Sequence, residues 1–175
     1  MSFYFSVCST AKYQEKYISF LLKHYTELGL PYSFQETFSY IASPVMMEKE
    51  AILMFDQDDE VAGAIGYIHG TGDKDYEDSH VIQLQILFII EKYRGSRLLL
   101  QAAQFLAQYI DQLREPVTEL RYWIPAQENA LVKLSGKLAA QADFHETERG
   151  AIAEYRIPFA DWHAYAMKYP HENYF

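Results

Sequence analysis

The chain has 175 residues, of which half are hydrophobic and 16% are aromatic. This composition excludes a disordered chain, and the length suits one domain with a full core, so we predict a single domain over residues 1–175. The formal net charge of −9 argues against a nucleic-acid partner, because that function depends on clustered lysine and arginine, and it favours a cationic substrate.

The location of the protein is predicted from its cysteine and its apolar runs. One cysteine, Cys8, rules out an internal disulfide, and no apolar run reaches the length of a membrane helix. The first residues also lack the pattern of a signal peptide. We therefore expect a cytoplasmic protein with no membrane partner. The six histidines lack the spacing of metal ligands, so no metal site is predicted.

The N-terminal part predicts a strand followed by two helices. Residues 2–9 alternate as a strand does, and Ser9 or Thr10 can cap a helix that continues to Gly29. A capping-box pattern at Ser33-Phe-Gln-Glu36 then opens a second helix, which Pro44 should end.

A hairpin follows, with strands over residues 51–56 and 61–70. Gly63 and Gly66 within its second strand predict a bulge or a close approach of another main chain. Acidic residues concentrate in the hairpin turn and in the loop after the hairpin. We interpret them first as solvated tips, with attraction of a cationic substrate as the alternative. They are Asp56, Asp58, Asp59 and Glu60, and then Asp73, Asp75, Glu77 and Asp78.

A strand, a basic glycine turn and a helix form the centre of the sequence. Residues 81–90 are almost continuously apolar, which predicts a central strand, and residues 98–113 carry two apolar helical stripes. Between them lies EKYRGSR. Free N–H groups at the start of a helix can bind an anion, and a glycine there lets a phosphate approach the main chain. The alternative is an ordinary structural turn with a solvated basic surface.

The C-terminal part continues with a strand over residues 119–125 and a helix over residues 129–140. A second hairpin pairs residues 142–147 with residues 151–159, and Asp161 is predicted to cap a short last helix. The sequence thus predicts an α/β protein of the α+β type, in the order β-α-α-β-β-β-α-β-α-β-β.

The segment IIEKYRGSR resembles the acetyl-CoA signature of the GNAT family of N-acetyltransferases. In that family a strand ending in V-x-P-x-Y-R-G leads into R/Q-x-x-G-x-G/A at the start of a helix. Tyr93, Arg94 and Gly95 match the pattern, whereas Arg97 and Leu99 replace the first glycine and the final Gly/Ala of the second motif. The predicted order of elements also matches the family over nearly the whole chain.

The resemblance implies a single-domain GNAT-like fold, with a mixed, mostly antiparallel sheet of about seven strands flanked by helices. It also implies acetyl-CoA as co-substrate, its pantetheine bound along the central strand and its pyrophosphate bound by the N–H groups of the turn. An Asn that opens a later helix in the family matches Asn129. The implied cofactor-binding residues are Leu87, Phe88, Ile89, Arg94, Gly95, Ser96, Arg97, Leu98, Leu99 and Asn129.

Two catalytic positions are also implied, a base on the central strand and an acidic tyrosine on a later helix. The resemblance puts Gln83 and Ser135 at these positions. Glutamine cannot take up a proton and a serine hydroxyl has no useful acidity, so both are assigned by position alone. His80 or Tyr155 could substitute for them.

The predicted activity is acetyl transfer to a primary amine of a small molecule or of a protein or peptide. The first alternative is a GNAT-fold protein that has lost catalysis and serves as a CoA-binding or protein-interaction module. The second is an unrelated α+β domain in which the central turn is only structural. We also expect a homodimer, because the aromatic C-terminal segment YAMKYPHENYF would leave several rings in water in a monomer.

Overall fold

The computed structural model describes residues 2–47, 49–126, 129–138, 141–148 and 150–175, and within these ranges it contains seven strands and five α-helices. No helix of the described part is both long enough and apolar enough to cross a bilayer. The strands are β1 (Tyr4–Val7), β2 (Ala51–Phe55), β3 (Val61–His69), β4 (Val81–Ile89), β5 (Glu119–Pro125), β6 (Gln141–Thr147) and β7 (Gly150–Pro158). The helices are α1 (Ala11–Lys23), α2 (Phe34–Met46), α3 (Leu98–Asp111), α4 (Asn129–Leu138) and α5 (Phe159–Met167).

The strands form one sheet in the order β1-β2-β3-β4-β5-β7-β6. The pairs β1–β2, β2–β3, β5–β7 and β6–β7 are antiparallel, whereas β4 and β5 are parallel. In the parallel pair Val81 aligns with Glu119, and Leu84 aligns with Tyr122. Parallel neighbours need a crossover, which α3 provides. The predicted fold class and the predicted order of elements are thus confirmed.

The chain forms two compact units. The first comprises Met1–Gly29, Ser33–Ile68 and Gln85–Ala102, and the second comprises Leu30–Tyr32, His69–Leu84 and Ala103–Phe175. The single domain over residues 1–175 stays a prediction.

In the first unit, α1 begins where the sequence predicts, because the Thr10 hydroxyl accepts a hydrogen bond from the Tyr13 N–H at 3.4 Å. The predicted end at Gly29 is wrong. The helix stops at Lys23, and a 3₁₀ turn over Tyr25–Glu27 follows, as is common at the C-terminus of a helix. The side chains that α1 buries in the core are Tyr17, Phe20 and Leu21.

The second helix, α2, has the predicted capping box. The Ser33 N–H donates to Glu36 Oε2 at 3.1 Å, and the Glu36 N–H donates to Ser33 Oγ at 3.2 Å. The prediction that Pro44 ends this helix is wrong, since α2 continues to Met46. Pro44 is buried against β3, where a Cβ added to Gly66 would lie 2.8 Å from Pro44 Cγ. Packing on the sheet outweighs the main-chain hydrogen bond that proline cannot make.

The hairpin of β2 and β3 has its irregularity in β3, next to Gly63. Met54 pairs with Gly63 but Phe55 pairs with Val61, so Ala62 is an extra residue in β3 and the predicted bulge is confirmed beside Gly63, whereas Gly66 pairs regularly with Ala51. The other prediction, a close approach, is confirmed at Gly63, where an added Cβ would lie 2.6 Å from the carbonyl oxygen of Phe88. A glycine is needed there because the neighbouring main chain leaves no room for a side chain.

In the second unit, α5 begins directly after Pro158. The predicted cap, Asp161, therefore lies inside the first turn of the helix, and the capping prediction is wrong. An acidic side chain still suits that turn, because it lies at the positive end of the helix dipole.

The C-terminal segment, residues 168–175, lies along α3. Gln104 Nε2 donates to the Pro170 carbonyl at 3.3 Å, and Gln108 Nε2 donates to the Glu172 carbonyl at 2.7 Å. The Tyr174 N–H donates to Gln108 Oε1 at 2.8 Å. Two glutamines therefore fix the course of this segment.

Two aromatic rings of the same segment also contact α3. The ring centroid of Tyr174 lies 5.0 Å from that of Phe105, and the ring centroid of Phe175 lies 5.5 Å from Phe105 and 5.7 Å from Tyr109. Phe175 is nevertheless 59% exposed and Tyr169 is 37% exposed, so these contacts cover the aromatic segment only in part and the homodimer stays a prediction.

Cys8, just after β1, is buried in the first unit. Burial raises the pKa of its thiol to about 12. Its Sγ lies 4.0 Å from the Ser6 carbonyl oxygen. The thiol is thus protonated at neutral pH and shielded from solvent.

Candidate functional site

A short turn that contains Tyr-Arg-Gly joins β4 to α3. Glu91–Tyr93 form a 3₁₀ turn, and Gly95 then adopts a φ of +79°, a conformation that favours glycine. An added Cβ at Gly95 would meet no atom within 4 Å, so the turn faces open space there. The Gln101 N–H donates to the Arg97 carbonyl at 3.0 Å, which makes Arg97 the N-cap of α3.

The N–H groups of this turn are only partly used. The Ser96 N–H donates to the Tyr93 carbonyl at 3.2 Å, and the Leu98 N–H donates to Ser96 Oγ, also at 3.2 Å. The N–H groups that donate to no acceptor within the described ranges are those of Gly95, Arg97, Leu99 and Leu100. Free donors at the positive end of a helix dipole can bind an anion.

Tyr93 anchors the turn to the β2–β3 hairpin. Its hydroxyl donates to Asp56 Oδ2 at 2.6 Å, while Asp56 Oδ1 accepts from the N–H groups of Asp58 at 2.9 Å and Glu60 at 3.1 Å. The Tyr93 hydroxyl and then these N–H groups hold the pKa of Asp56 below its ordinary value. Asp56 is buried, so its interpretation as a solvated tip is wrong, whereas Asp58 and Glu60 are exposed.

Arg94 and Arg97 differ in what they contact. Arg94 Nε donates to the Ile89 carbonyl at 3.0 Å, and its guanidinium carbon lies 5.6 Å from the ring centroid of Phe88. The Phe88 ring also lies 5.4 Å from the ring of His24. Arg94 therefore holds the end of β4, while Arg97 is exposed and its guanidinium has no partner among the described residues.

Apart from Asn129, the other predicted cofactor-binding residues lie on β4, in the turn or at the start of α3. Leu87 is half-buried on β4, and Phe88 is buried. The side chain of Leu98 belongs to the core, and Leu99 after it is half-buried. Asn129 is the first residue of α4, and its side chain lies outside the described part of the chain.

Ser135 contacts a tyrosine that the sequence analysis did not propose. The hydroxyls of Tyr122 on β5 and Ser135 on α4 share a hydrogen bond, and both residues are buried. Burial raises the pKa of Tyr122 to about 12, so at neutral pH this phenol can give up a proton but cannot act as a base. The alternation of buried and half-buried residues along β5 points Tyr122 inward, but the contact with α4 is visible only in the fold.

Gln83 is buried on β4 and pairs in register with Arg121. Its amide cannot accept a proton, so the strand position that would carry a base has none. His80, one of the proposed substitutes, is exposed just before β4. Tyr155, the other substitute, is buried with its ring centroid 5.8 Å from that of Tyr122.

A cavity of about 670 Å³ in the second unit is lined by the acidic residues of the loop before β4. Asp78 accepts from the Thr71 N–H at 2.7 Å and from its hydroxyl at 2.8 Å. Burial alone would raise the pKa of Asp78, but these hydrogen bonds outweigh burial and lower it. The acidic residues that line the cavity are Asp73, Asp75, Glu77, Asp78 and Glu119.

Basic groups also line this cavity, and Arg121 Nη2 pairs with Glu119 Oε2 at 2.6 Å. Within the described part of the chain, no three His, Cys, Asp or Glu residues are placed to hold a metal ion. The acidic loop thus borders a recess with an excess of negative charge. Such a recess attracts cations.

No protein-family model matches the sequence, and no curated protein matches it. Solved structures do match. An acetyltransferase of the GNAT family from Staphylococcus aureus Mu50 has a TM-score of 0.59 at 10% identity, over 89% of this chain and 99% of that one. The loading GNATL domain of CurA from Lyngbya majuscula has a TM-score of 0.62 at 12% identity, over 91% of this chain and 99% of that one.

A third structure is the acetyl transferase from Salmonella typhimurium that modifies the N-terminal serine of the 50S ribosomal subunit protein L7/L12. It has a TM-score of 0.61 at 12% identity, over 90% of this chain and 95% of that one. Likeness at such low identity shows a shared fold. The alternative of an unrelated α+β domain is thereby excluded.

Proposed function

We propose that this chain, which has the GNAT fold, transfers an acetyl group from acetyl-CoA to a primary amine of a small molecule, a protein or a peptide. The observation that carries the proposal is the group of unbonded N–H donors at Gly95, Arg97, Leu99 and Leu100. They lie in the segment whose sequence resembles the family's acetyl-CoA signature. A pyrophosphate is an anion that such donors suit, and the exposed guanidinium of Arg97 adds a charge-assisted donor.

The residues present fit this co-substrate. The turn from Arg94 to Leu99 would hold the phosphates, and the main chain from Leu87 to Ile89 would hold the pantetheine. Asn129 stays a cofactor-binding residue that the family resemblance alone implies. When bound, acetyl-CoA supplies an acetyl group activated as a thioester. Arg94 already bonds the Ile89 carbonyl, so its role in this proposal is to fix the strand end, and Arg97 is the phosphate partner.

In this proposal neither Gln83 nor Tyr122 acts as a base for the acceptor amine. Gln83 cannot take a proton from the acceptor, and Tyr122 cannot take one either, because its phenol is already protonated at neutral pH. The acceptor ammonium therefore gives one proton to water before the amine attacks the thioester carbonyl. The carbon–sulfur bond then breaks, CoA leaves as the thiolate, and the new amide nitrogen gives its second proton to water. We expect the rate to rise with the fraction of the acceptor amine that is unprotonated.

The chemical class of the acceptor is suggested by charge. The net charge of −9 and the acidic cavity of the second unit favour a positively charged acceptor. A protein amine is one candidate, since one protein of the same fold acts on the N-terminal serine of a ribosomal protein.

Two measurements test the proposal. Isothermal titration calorimetry with acetyl-CoA should give saturable heat, and absence of heat at millimolar acetyl-CoA would contradict it. Release of free CoA thiol should then be measured with a panel of polyamines, amino acids, aminoglycosides and peptides. Turnover with any of these amines supports the transferase.

The second candidate is a CoA-binding or protein-interaction module that has lost catalysis. It is favoured by Gln83 and Ser135 at the positions of the usual base and acid, and by Arg97 and Leu99 in place of motif glycines. Saturable heat without thiol release across the whole panel would favour this module over the enzyme. Turnover with any physiological amine would eliminate it.

We also propose that the protein is a cytoplasmic homodimer of single-domain protomers. The cytoplasm is supported by the lone, protonated thiol of Cys8, which suits a reducing compartment. The dimer is supported by an exposed apolar surface on the first unit.

A further inference from the structure

One helix of the first unit is apolar on two faces. The inner face of α2 buries Thr37, Ile41 and Pro44. The outer face carries a row of residues spaced four apart, which we name the α2 ridge and which consists of Phe34, Phe38, Ala42 and Met46. Three of these side chains are largely exposed, Phe34 to 56%, Phe38 to 41% and Met46 to 81%. Polar side chains, those of Gln35, Glu36, Ser39 and Ser43, occupy the rest of the solvent side of α2. A row of large apolar side chains in water is often an interaction site.

We propose that the α2 ridge is the interface of a two-fold symmetric dimer of this chain, in which two copies of α2 cross antiparallel. This names the surface of the proposed homodimer and does not depend on the proposed enzyme activity.

Because the ridge is uncharged, a second copy of the chain can bind there without charge repulsion. The only acidic or basic residue of α2 is Glu36, and its carboxylate is engaged by Ser33 in the capping box. A chain with net charge −9 repels its own copies over most of its surface, but the ridge is neutral. In an antiparallel crossing the two Glu36 residues lie at opposite ends of the contact, whereas a parallel crossing would bring them together.

The area of the ridge is a large part of what a dimer needs. A fully exposed aromatic or similar side chain offers about 200 Å². The exposed fractions of Phe34, Phe38 and Met46 therefore give roughly 350 Å² of apolar surface per protomer. A standard interface buries about 800 Å² per partner, of which about 65% is apolar in homodimers, or about 500 Å². The ridge thus supplies the larger part of that apolar area.

The order of large and small residues makes the ridge complementary to itself. A two-fold axis that passes beside position 40 pairs each Phe38 with the partner's Ala42, and each Phe34 with the partner's Met46. The small alanine leaves room for the phenylalanine ring, and a methionine adapts to an aromatic ring with a favourable sulfur contact. Rows spaced four apart are also the ridges that interdigitate in the commonest class of helix crossing.

Light scattering coupled to gel filtration tests the assignment. At micromolar concentration the parent should have twice the mass of one chain, which is 20.4 kDa. Phe38→Glu and Ala42→Lys should each give a protein of monomer mass, because each buries an unpaired charge in the interface. Their equimolar mixture should regain the dimer mass, since the two-fold axis sets the new glutamate against the new lysine. The matched control is Phe144→Glu on β6, where the phenylalanine is 68% exposed, and this variant should stay dimeric.

Several results would overturn the assignment. They are a monomeric parent, a dimer that survives both ridge variants, a dimer that Phe144→Glu dissociates, and a mixture that fails to reassociate although circular dichroism shows both variants folded. Binding of a monomeric parent to neutral phosphatidylcholine vesicles would point to a lipid as the occupant instead. Titration of the same variants with acetyl-CoA keeps this inference separate from the proposed function, because the turn before α3 is unchanged in them.

Discussion

At the scale of single residues, the informative contact is the one between Tyr93 and Asp56. It joins the turn before α3 to the β2–β3 hairpin across 37 positions of sequence. The tyrosine is part of the family-like signature, and its hydroxyl is used to hold the turn in place. A residue that matches a motif can therefore contribute to a binding site by holding the turn in place, without contacting the ligand itself.

Tyr93→Phe should lower the melting temperature by a few degrees at neutral pH, because it removes the largest contribution to the lowered pKa of Asp56. The carboxylate of Asp56 stabilises the fold above its unfolded pKa, near 3.8, and this contribution is lost as the pH falls through the lower folded value. The difference between parent and variant should thus shrink below about pH 4. Thermal melts from pH 3 to 7 measure it.

The control for this experiment is Tyr76→Phe, which removes an exposed hydroxyl and should leave the melting temperature unchanged. An equal loss at pH 3 and pH 7 in Tyr93→Phe would show that the hydroxyl packs in the core without acting on the carboxylate.

At the scale of elements, α2 and β3 fit together through a glycine. A Cβ at Gly66 would meet the Tyr17 hydroxyl and lie 2.8 Å from Pro44 Cγ, and both neighbours are buried. The same contact explains why a proline is tolerated within α2. The space left by Gly66 on β3 therefore allows α2 to contain a proline at position 44.

Gly66→Ala should destabilise the protein by about 1–3 kcal/mol through overpacking. Gly136→Ala is the matched comparison, since Gly136 lies within α4 and an added Cβ would meet nothing within 4 Å. That substitution should stabilise the protein by about 0.5–1 kcal/mol, because alanine favours a helix. Urea unfolding of both variants measures the two free energies. Equal effects would mean that the contact at Gly66 is not tight.

The start of α3 leads to a prediction about ligand binding. Arg97→Ala should weaken acetyl-CoA binding by about 1–3 kcal/mol, as expected on loss of a charge-assisted bond to phosphate, and should make binding less sensitive to salt. Calorimetry at two salt concentrations checks both effects. Arg114→Ala, which removes an exposed arginine after α3, should bind as the parent does. If Arg97→Ala also binds like the parent, phosphate does not contact this side chain.

Local sequence patterns predicted most elements, and the fold explains where they failed. The capping box at Ser33 formed because it depends on residues three apart. The helix end predicted at Pro44 and the exposure predicted for Asp56 were wrong because of contacts distant in sequence. Pro44 packs on β3, and Asp56 bonds to Tyr93 in the turn before α3. The pairing of Tyr122 with Ser135 was missed for the same reason, since strand alternation gives the inward direction of a side chain but not its partner.

At the scale of the whole molecule, the C-terminal segment is part of the folded structure. Gln108 uses both ends of its amide to hold it, since the amide nitrogen donates to one carbonyl of the segment and the amide oxygen accepts from one N–H. Ring contacts of Tyr174 and Phe175 with Phe105 complete the attachment, although Phe175 stays 59% exposed. The segment is therefore fixed to the surface of the second unit.

Gln108→Ala should release residues 172–174, because it removes two hydrogen bonds worth about 1 kcal/mol each. Hydrogen exchange of the Tyr174 amide should accelerate by about tenfold or more. Gln112→Ala, an exposed glutamine just beyond α3, is the control and should exchange at the parent rate. Unchanged protection in Gln108→Ala would mean that the aromatic rings alone retain the segment.

The buried thiol of Cys8 has a practical consequence for assays. Colorimetric reagents that detect released CoA react with any accessible thiolate, and many enzymes contribute a background of their own. Here the only sulfhydryl of the protein is enclosed and protonated, so colour should come from CoA alone while the protein stays folded. Slow colour without any amine would instead report transient opening of the first unit, which gives a measure of its local stability with no added label.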